Sequence, residues 1–264
     1  MQRSIGATGV SEFRLDGKVA FITGGTKNIG RATARKFFMA GADVVITART
    51  ESSLRETKAE LESLRPGGKV LAVTADVSDE QAIERSVDAA LGMFRGVDIL
   101  VNNAYFSGRA RGRRGGLETS YDEWDAVWRG NVMAPFRYVQ LLEPGMRNRG
   151  GGSIINLGSI AASGYFDGLM AYATSKNALA TITRYLAVEL APLIRVNAVS
   201  PGAISPDGEP TGAIQHRLSE LSPMQRVGAA QELASVALFL ASDAASFVTG
   251  QVIVADGGVS ARAF

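Results

Sequence analysis

The chain alternates short apolar runs with longer helical patterns, and this alternation limits its possible folds more than any other feature. Seven runs rich in β-branched residues occur at 19–23, 43–47, 69–75, 98–102, 153–159, 195–200 and 251–255. Between them lie stretches with helical apolar spacing, such as 81–94, 122–142 and 177–190. Strands that alternate with helices in this way form βαβ units around a parallel sheet. The sequence therefore predicts an α/β fold with a doubly wound, parallel, seven-stranded sheet and helices on both faces.

The length and hydrophobic content indicate one domain. A chain of 264 residues that is 46% hydrophobic can bury a single large core. We find no internal repeat and no interdomain linker. We therefore expect a flexible N-terminal extension over residues 1–13 and a single domain over residues 14–264.

Composition excludes several classes of function. The formal net charge is only +2, which gives no indication of a nucleic-acid partner. The chain has no cysteine and one histidine, His216, so it has no disulfides and too few ligands for a typical zinc site. The N-terminal segment lacks the apolar core of a signal peptide, and no stretch is convincing as a membrane span. We expect a soluble, cytoplasmic protein without a bound metal.

The sequence TGGTKNIG at 23–30 connects the first predicted strand to the first helix. Ligands of doubly wound sheets bind at the carboxyl ends of the strands, where a helix N-terminus favours a phosphate group. The spacing of Gly24, Gly25 and Gly30 differs from the G-x-G-x-x-G pattern, so the turn alone is also compatible with a tight connection that binds nothing. Asn28 is tolerated there because asparagine enters positive-φ conformations more readily than most residues.

A second motif, AYATSK at 171–176, begins a predicted helix. Tyr172 and Lys176 are four residues apart, so their side chains share one helix face. Ser159 ends the fifth predicted strand, Asn131 lies in the preceding long helix, and the fourth strand ends in NNA at 102–104.

These motifs occur in the order TGGTKNIG, ADV (75–77), NNA, Asn131, Ser159, YATSK and SPG (200–202). In this order the chain resembles the short-chain dehydrogenase/reductase superfamily, and in particular its 3-oxoacyl-(acyl carrier protein) reductases. The resemblance extends from about residue 15 to residue 258. It implies a single Rossmann-fold domain.

The resemblance also implies catalytic roles that suit the chemistry of the residues. Tyr172 would exchange a proton with the substrate oxygen, because a lysine ammonium within about 4 to 6 Å favours the phenolate form of a tyrosine. Ser159 would donate a second hydrogen bond to that oxygen. Lys176 would also hold the nicotinamide ribose, and Asn131 would bind a water that links Lys176 to solvent.

The same resemblance predicts NADP(H) as the cofactor. An NAD site usually has an acidic residue at the end of the second strand, where this chain has Ala48 followed by Arg49. Arg49 and Lys27 could bind a 2′-phosphate. The expected cofactor-binding residues are Gly24, Thr26, Lys27, Asn28, Ile29, Gly30, Arg49, Asp76, Val77, Asn103, Ala104, Tyr172, Lys176, Pro201, Gly202, Ile204 and Ser205.

Several positions differ from the family pattern. Tyr105 replaces the glycine that usually follows NNA, and an arginine-rich loop at 107–116 could contact an acidic carrier protein or remain a solvated loop. Pro206 occupies the position of a threonine that often binds the cofactor carboxamide, so Ser205 could substitute for it. We expect residues 206–225 to form a small lid over the substrate.

The sequence thus predicts an NADPH-dependent reductase of a ketone or 3-oxoacyl substrate, reversible as an alcohol dehydrogenase. The substrate would be a small carbonyl or alcohol molecule, free or carried on an acyl carrier protein or CoA. An enoyl-thioester reductase and a non-catalytic NADP-binding regulator are the alternatives. Leu169 disfavours the first, because many such enzymes place tyrosine seven residues before the lysine. By similarity, helices at 121–148 and 170–190 and the C-terminal segment would form a homotetramer with D₂ symmetry.

Overall fold

The computed structural model of the chain describes residues 11–108 and 116–262, apart from the side chain of Ile214. Residues 1–10 of the predicted N-terminal extension lie outside this range. Ser11–Phe13 form a 3-10 turn, and the ring centroid of Phe13 lies 6.5 Å from that of Phe239. The end of the predicted extension therefore packs against the domain.

The main sheet has seven strands, all of them parallel, which confirms the predicted architecture. The strands of the chain are β1 (Val19–Thr23), β2 (Asp43–Ala48), β3 (Val70–Thr74), β4 (Ile99–Asn102), β5 (Gly152–Leu157), β6 (Ile194–Pro201), β7 (Ile204–Ser205), β8 (Gly228–Ala229) and β9 (Val252–Ala255). Their order in the main sheet is β3-β2-β1-β4-β5-β6-β9, while β7 and β8 form a separate two-stranded ladder. The chain reverses its direction of winding between β1 and β4, which is where such folds bind ligands.

The helices are α1 (Asn28–Met39), α2 (Glu51–Leu64), α3 (Glu80–Phe94), α4 (Tyr121–Trp128), α5 (Ala134–Asn148), α6 (Met170–Glu189), α7 (Ala213–Leu221) and α8 (Ala230–Ala241). Some begin at a side-chain cap: the Asp79 carboxylate accepts hydrogen bonds from the first-turn N–H groups of α3. The predicted long helix at 122–142 is interrupted, because a π turn at Arg129–Met133 separates α4 from α5. A π turn adds one residue to the helix, and such turns are frequent at functional sites.

The sheet is covered on both faces, since successive strand residues point to opposite sides. In β1, Ala20 and Ile22 pack in a core with α1, α2 and α8, whereas Val19 and Phe21 pack in a second core with α3, α5 and α6. Such two-sided burial explains why the strands are nearly continuous apolar runs. Within the described parts of the chain, no helix has the length and apolar character needed to cross a membrane.

Candidate active site

One cleft of about 640 Å³ runs along the carboxyl ends of the strands. It is lined by the residues that follow β1, β2, β3, β4, β5 and β6, because parallel strands all end at the same edge of the sheet. Of the predicted site residues, those that line it are Gly24, Thr26, Lys27, Asn28, Ile29, Arg49, Asp76, Val77, Asn103, Ala104, Ser159, Tyr172, Lys176, Pro201, Gly202 and Ile204. Gly30, Asn131 and Ser205 are not among the lining residues.

The glycines of the turn at 23–30 are required by the protein's own packing. A side chain at Gly24, whose φ is +65°, would lie 3.1 Å from the Cα of Ala104. A side chain at Gly25 would lie 2.7 Å from the Cγ2 of Ile46, and one at Gly30 would collide with the carbonyl oxygen of Gly24. Asn28 adopts a positive φ of 43°, as its residue type allows.

The end of β4 is joined to the end of β1 by hydrogen bonds. The hydroxyl of Thr23 accepts hydrogen bonds from the N–H groups of Asn103 and Ala104, each at 3.0 Å. The amide of Asn103 donates to the carbonyl of Thr23 at 2.8 Å. These bonds hold the NNA segment beside the glycine turn, so that both line the cleft.

Lys176 is buried at the base of the cleft, with 2% of its surface exposed. Its Nζ donates a 2.7 Å hydrogen bond to the carbonyl oxygen of Leu157, the last residue of β5. Burial lowers the pKa of Lys176 from 10.5 to about 7, because the charged ammonium loses its hydration. The amine is therefore poised to gain or lose a proton near neutral pH.

Tyr172 and Ser159 line the same cleft as Lys176. Lys176 Nζ lies 5.7 Å from the centroid of the Tyr172 ring, as expected for residues one turn apart on α6. The Ser159 hydroxyl accepts a 3.1 Å hydrogen bond from the N–H of Ala161. Because a hydroxyl can donate one hydrogen bond while it accepts others, Ser159 keeps a proton to offer to a ligand.

Asn131 lies in the π turn and is fully buried. Its Oδ1 accepts a 2.7 Å hydrogen bond from the N–H of Phe106, and its Nδ2 donates to the carbonyl of Phe106 at 2.9 Å and to the hydroxyl of Ser175 at 3.0 Å. The amide therefore fixes the cleft-lining backbone at Phe106 and connects it to α6. The predicted role of Asn131 in binding a water remains a prediction.

The other end of the cleft carries positive charge. Lys27 and Arg49 both line it with exposed side chains, and Ala48, the residue before Arg49, ends β2. Sequence reasoning missed Ser53 and Ser78, which also line the cleft. The Ser53 hydroxyl lies 3.4 Å from that of Thr26, because β1 and β2 are adjacent parallel strands and the segments that follow them begin at the same edge of the sheet.

The region after β6 differs from its predicted role in one respect. The Ser205 hydroxyl accepts a 2.8 Å hydrogen bond from the N–H of Gly208 and lies 3.3 Å from the carboxylate of Asp207. Ser205 is thus buried in a local turn and does not line the cleft, nor does Pro206. The segment 206–225 contains α7, and its role as a lid remains a prediction. Most of the arginine-rich loop, residues 109–115, lies outside the described residues.

Comparisons with known proteins agree with this geometry. A model of the family described as enoyl-(acyl carrier protein) reductase matches residues 24–260. The chain is 36% identical to the 7alpha-hydroxysteroid dehydrogenase of Escherichia coli strain K12, over 93% of this chain and 95% of the relative. It is 38% identical to the 3-oxoacyl-[acyl-carrier-protein] reductase FabG of Thermotoga maritima, over 93% of this chain and 99% of the relative.

The chain belongs to the short-chain dehydrogenase/reductase superfamily. Solved structures of this superfamily match almost its whole length. A putative short-chain alcohol dehydrogenase from Sinorhizobium meliloti 1021 matches with a TM-score of 0.87 and 35% identity, over 96% of this chain and all of that one. A 7 alpha-hydroxysteroid dehydrogenase complexed with NADH and 7-oxo glycochenodeoxycholic acid matches with a TM-score of 0.86 and 33% identity, over 96% of this chain and 98% of the other. The chain is therefore an oxidoreductase of a superfamily that binds nicotinamide cofactors.

Proposed function

We propose that this protein is an NADPH-dependent reductase of a ketone or 3-oxoacyl substrate, reversible as an alcohol dehydrogenase. The observation that carries the proposal is that Ser159, Tyr172 and Lys176 line one cleft, with the lysine buried beside the tyrosine ring. A hydroxyl donor, a phenol and an amine in one cleft suit proton transfer to a carbonyl oxygen.

The residues of the cleft fit a dinucleotide. The lining residues follow the edge of the sheet continuously, from Arg49 at the end of β2 to Tyr172 on α6. No side chain caps the N-terminus of α1, and its first turn has no acidic residue, so the helix dipole and its free N–H groups favour a phosphate. Gly24, Asn28 and Ile29 would hold the pyrophosphate, and Lys176 the nicotinamide ribose.

The chain's own residues would donate the proton that the reduction requires. When bound, the reduced cofactor would supply hydride to the carbonyl carbon. Tyr172 would give its hydroxyl proton to the carbonyl oxygen, and Ser159 would donate a hydrogen bond to the same oxygen as charge develops on it. Lys176 in its charged form would favour the phenolate that Tyr172 becomes, and solvent would return the proton.

The preference for NADPH is supported by the charges at the far end of the cleft. Arg49 and Lys27 both line it, and the β2 terminus carries Ala48 where an acidic residue would repel a 2′-phosphate. Arg49 can hold a phosphate in a forked, charge-assisted geometry, with Lys27 as a second cation.

Enoyl-thioester reduction is the second candidate, and the description of the matching family favours it. Leu169, seven residues before Lys176, argues against it, because it cannot supply the tyrosine that many such enzymes have there. Incubation with NADPH and matched 3-oxoacyl and 2-enoyl thioesters separates the two reactions, since only one class of substrate should oxidise the cofactor.

The proposal includes partners and assembly. The substrate would be a small carbonyl compound or an acyl thioester on CoA or an acyl carrier protein, and the name of the Thermotoga maritima relative supports the carrier protein. A homotetramer is supported by exposed apolar side chains on α6, where Tyr185 and Val188 are 67% and 79% exposed. We also propose a cytoplasmic location, which cell fractionation tests.

The test of the proposed function is a turnover screen. NADPH absorbance would be followed with ketones that range from cyclic and aromatic compounds to 3-oxoacyl thioesters. We expect substrate-dependent loss of absorbance with at least one carbonyl class. A protein that binds NADPH but oxidises it with none of them would be a cofactor-binding regulator.

A further inference from the structure

Tyr105 follows the NNA segment and lies against the Tyr172–Lys176 pair. Its ring centroid is 6.0 Å from that of Tyr172, in an edge-to-face arrangement. Lys176 Nζ lies over the Tyr105 ring at 5.6 Å from its centroid, and over the Tyr172 ring at 5.7 Å. The buried amine and the two ring centroids therefore form a nearly equilateral triangle, with both rings on one side of the amine.

The backbone on either side of Tyr105 is fixed. Asn103 and Ala104 donate N–H groups to the Thr23 hydroxyl, and both backbone polar groups of Phe106 pair with Asn131. The backbone from which the Tyr105 ring extends is thus held by bonds that do not involve the ring itself.

Burial of apolar surface does not explain why this ring is here. Tyr105 is 58% exposed and lines the cleft, so it contributes little to either core. Its close neighbours are instead the two residues that the proposed reaction requires. An aromatic face within about 6 Å of an ammonium attracts it through the ring quadrupole.

We propose that Tyr105 is a positioning residue: together with Tyr172 it forms an aromatic cage on one side of the Lys176 amine, which holds the amine in place and favours its charged form. The significance of the cage for turnover rests on the proposed function, whereas its effect on Lys176 does not. The Leu157 carbonyl supplies the third contact of the amine through its 2.7 Å hydrogen bond.

The cage opposes the effect of burial on Lys176. Burial lowers the pKa of this lysine, and the rings favour the same ammonium that burial disfavours. Tyr172 and Tyr105 are the titratable groups whose rings contact the amine, and the charged side chains that line the same cleft are those of Lys27, Arg49 and Asp76.

The test compares Tyr105→Leu with Tyr105→Phe in the ligand-free full chain. Leucine keeps an apolar side chain but has no aromatic face, whereas phenylalanine keeps the face and loses only the hydroxyl. Protein labelled with ¹³C at lysine Cε would be titrated by NMR, with the Lys176 resonance identified by its loss in Lys176→Met. We expect the pKa of Lys176 to fall by about half a unit in Tyr105→Leu and to remain near the wild-type value in Tyr105→Phe.

Three outcomes would overturn the proposal: an unchanged pKa in Tyr105→Leu, a raised one, or an equal fall in both variants. Tyr105→Trp provides a second measurement should Tyr105→Leu fold poorly, because indole offers the strongest cation–π face and should keep or raise the pKa. If the wild type reduces no carbonyl compound, the proposed function fails. The titration still shows whether the Tyr105 ring raises the pKa of Lys176. If the wild type does reduce one, kcat should fall more in Tyr105→Leu than in Tyr105→Phe, and a higher kcat in Tyr105→Leu would show that the ring obstructs the site.

Discussion

Lys176 Nζ donates a 2.7 Å hydrogen bond to the carbonyl oxygen of Leu157, and this bond ties α6 to the last residue of β5. Leu157 lies two residues before Ser159, and Lys176 lies one helical turn after Tyr172. The two hydroxyls of the proposed site therefore extend from elements that are joined by this bond and by a second buried one, from the Asn156 amide to the Thr183 hydroxyl at 2.9 Å. Together these bonds fix the relative position of the two hydroxyls.

Replacing Tyr172 by phenylalanine should abolish turnover without preventing cofactor binding. The substitution removes the proposed proton donor and keeps the ring that packs beside Lys176. A positioned general acid contributes 10² to 10⁴-fold, so we expect kcat to fall by roughly that factor. NADPH affinity, measured by fluorescence titration, should stay close to the wild-type value. Retention of more than about a tenth of wild-type kcat would rule out this role for Tyr172.

The buried lysine should make stability depend on pH. The folded-state pKa of Lys176 is about 7 against 10.5 for a free side chain, so between these values the unfolded chain binds a proton that the folded chain does not. The free energy of unfolding should therefore rise with pH across this window, by at most about 1.4 kcal/mol per unit from this group.

Lys176→Met isolates this contribution, because methionine is of similar shape and does not titrate. In urea denaturation the variant should have its largest stability advantage over the wild type near pH 7, and the advantage should shrink toward pH 10. A constant difference across that range would show that Lys176 keeps its ordinary pKa in the fold.

Arg49→Ala should weaken the use of NADPH selectively. Loss of a charged hydrogen bond, worth about 1.5 to 3 kcal/mol, should raise the KM for NADPH by roughly one to two orders of magnitude. The KM for NADH should barely change. Arg55→Ala is the matched control, since Arg55 is exposed on α2 and pairs with Glu51 instead of lining the cleft. Equal effects of Arg49→Ala on both cofactors, or a wild-type preference for NADH, would contradict the assignment.

Asn131→Ala should loosen the segment that carries Tyr105. The variant leaves the N–H and carbonyl of Phe106 without their side-chain partner, and an unsatisfied buried polar group costs about 1 to 3 kcal/mol. We expect faster hydrogen exchange at the Phe106 amide and a lower free energy of unfolding. Asn177→Ala, which removes an exposed amide bonded to the Ala162 carbonyl, should change stability by less than about 0.5 kcal/mol. Similar exchange at Phe106 in both variants would show that Asn131 does not fix this backbone.

The proposed tetramer predicts a concentration-independent mass of four chains by light scattering at micromolar protein. Tyr185→Asp combined with Val188→Asp places two charges on the exposed apolar face of α6, so the assembly should dissociate. A monomeric mass of the wild type would contradict the proposal directly. An intact tetramer of the double variant would show that the interface does not include this face of α6.

The main sheet could be predicted from the sequence because its strands are buried on both sides. Strands such as β1 and β2 are therefore nearly continuous apolar runs, and their observed ends lie within two residues of the predicted ones. The β7–β8 ladder could not be predicted. Its strands are two residues each and pair across a long segment that contains α7, so neither has a periodic pattern.

The site was only partly predictable, for a related reason. Tyr172 and Lys176 are neighbours on one helix, so their spacing placed them on one face, and the other motifs of the chain indicated that they act together. The π turn is hidden, because apolar residues continue on both sides of it from α4 into α5. The pairing of Asn131 with Phe106 and the contact of Tyr105 with Lys176 join residues distant in sequence, and only the folded chain brings them together.

The packing of the glycine turn bears on how quickly and how tightly a dinucleotide can associate. A side chain at Gly24, Gly25 or Gly30 would meet the NNA segment, β2 or the turn's own carbonyl, and the turn is bonded to two of these neighbours, through Gly25 N–H to the Thr47 carbonyl at 3.0 Å and through the Asn103 amide to the Gly24 carbonyl at 3.1 Å. The protein's own packing and hydrogen bonds therefore hold the turn in shape, so we expect little entropic cost of ordering it when a dinucleotide binds. Association should proceed without a slow conformational step, with a rate set by diffusion and by the attraction between Arg49, Lys27 and the phosphates.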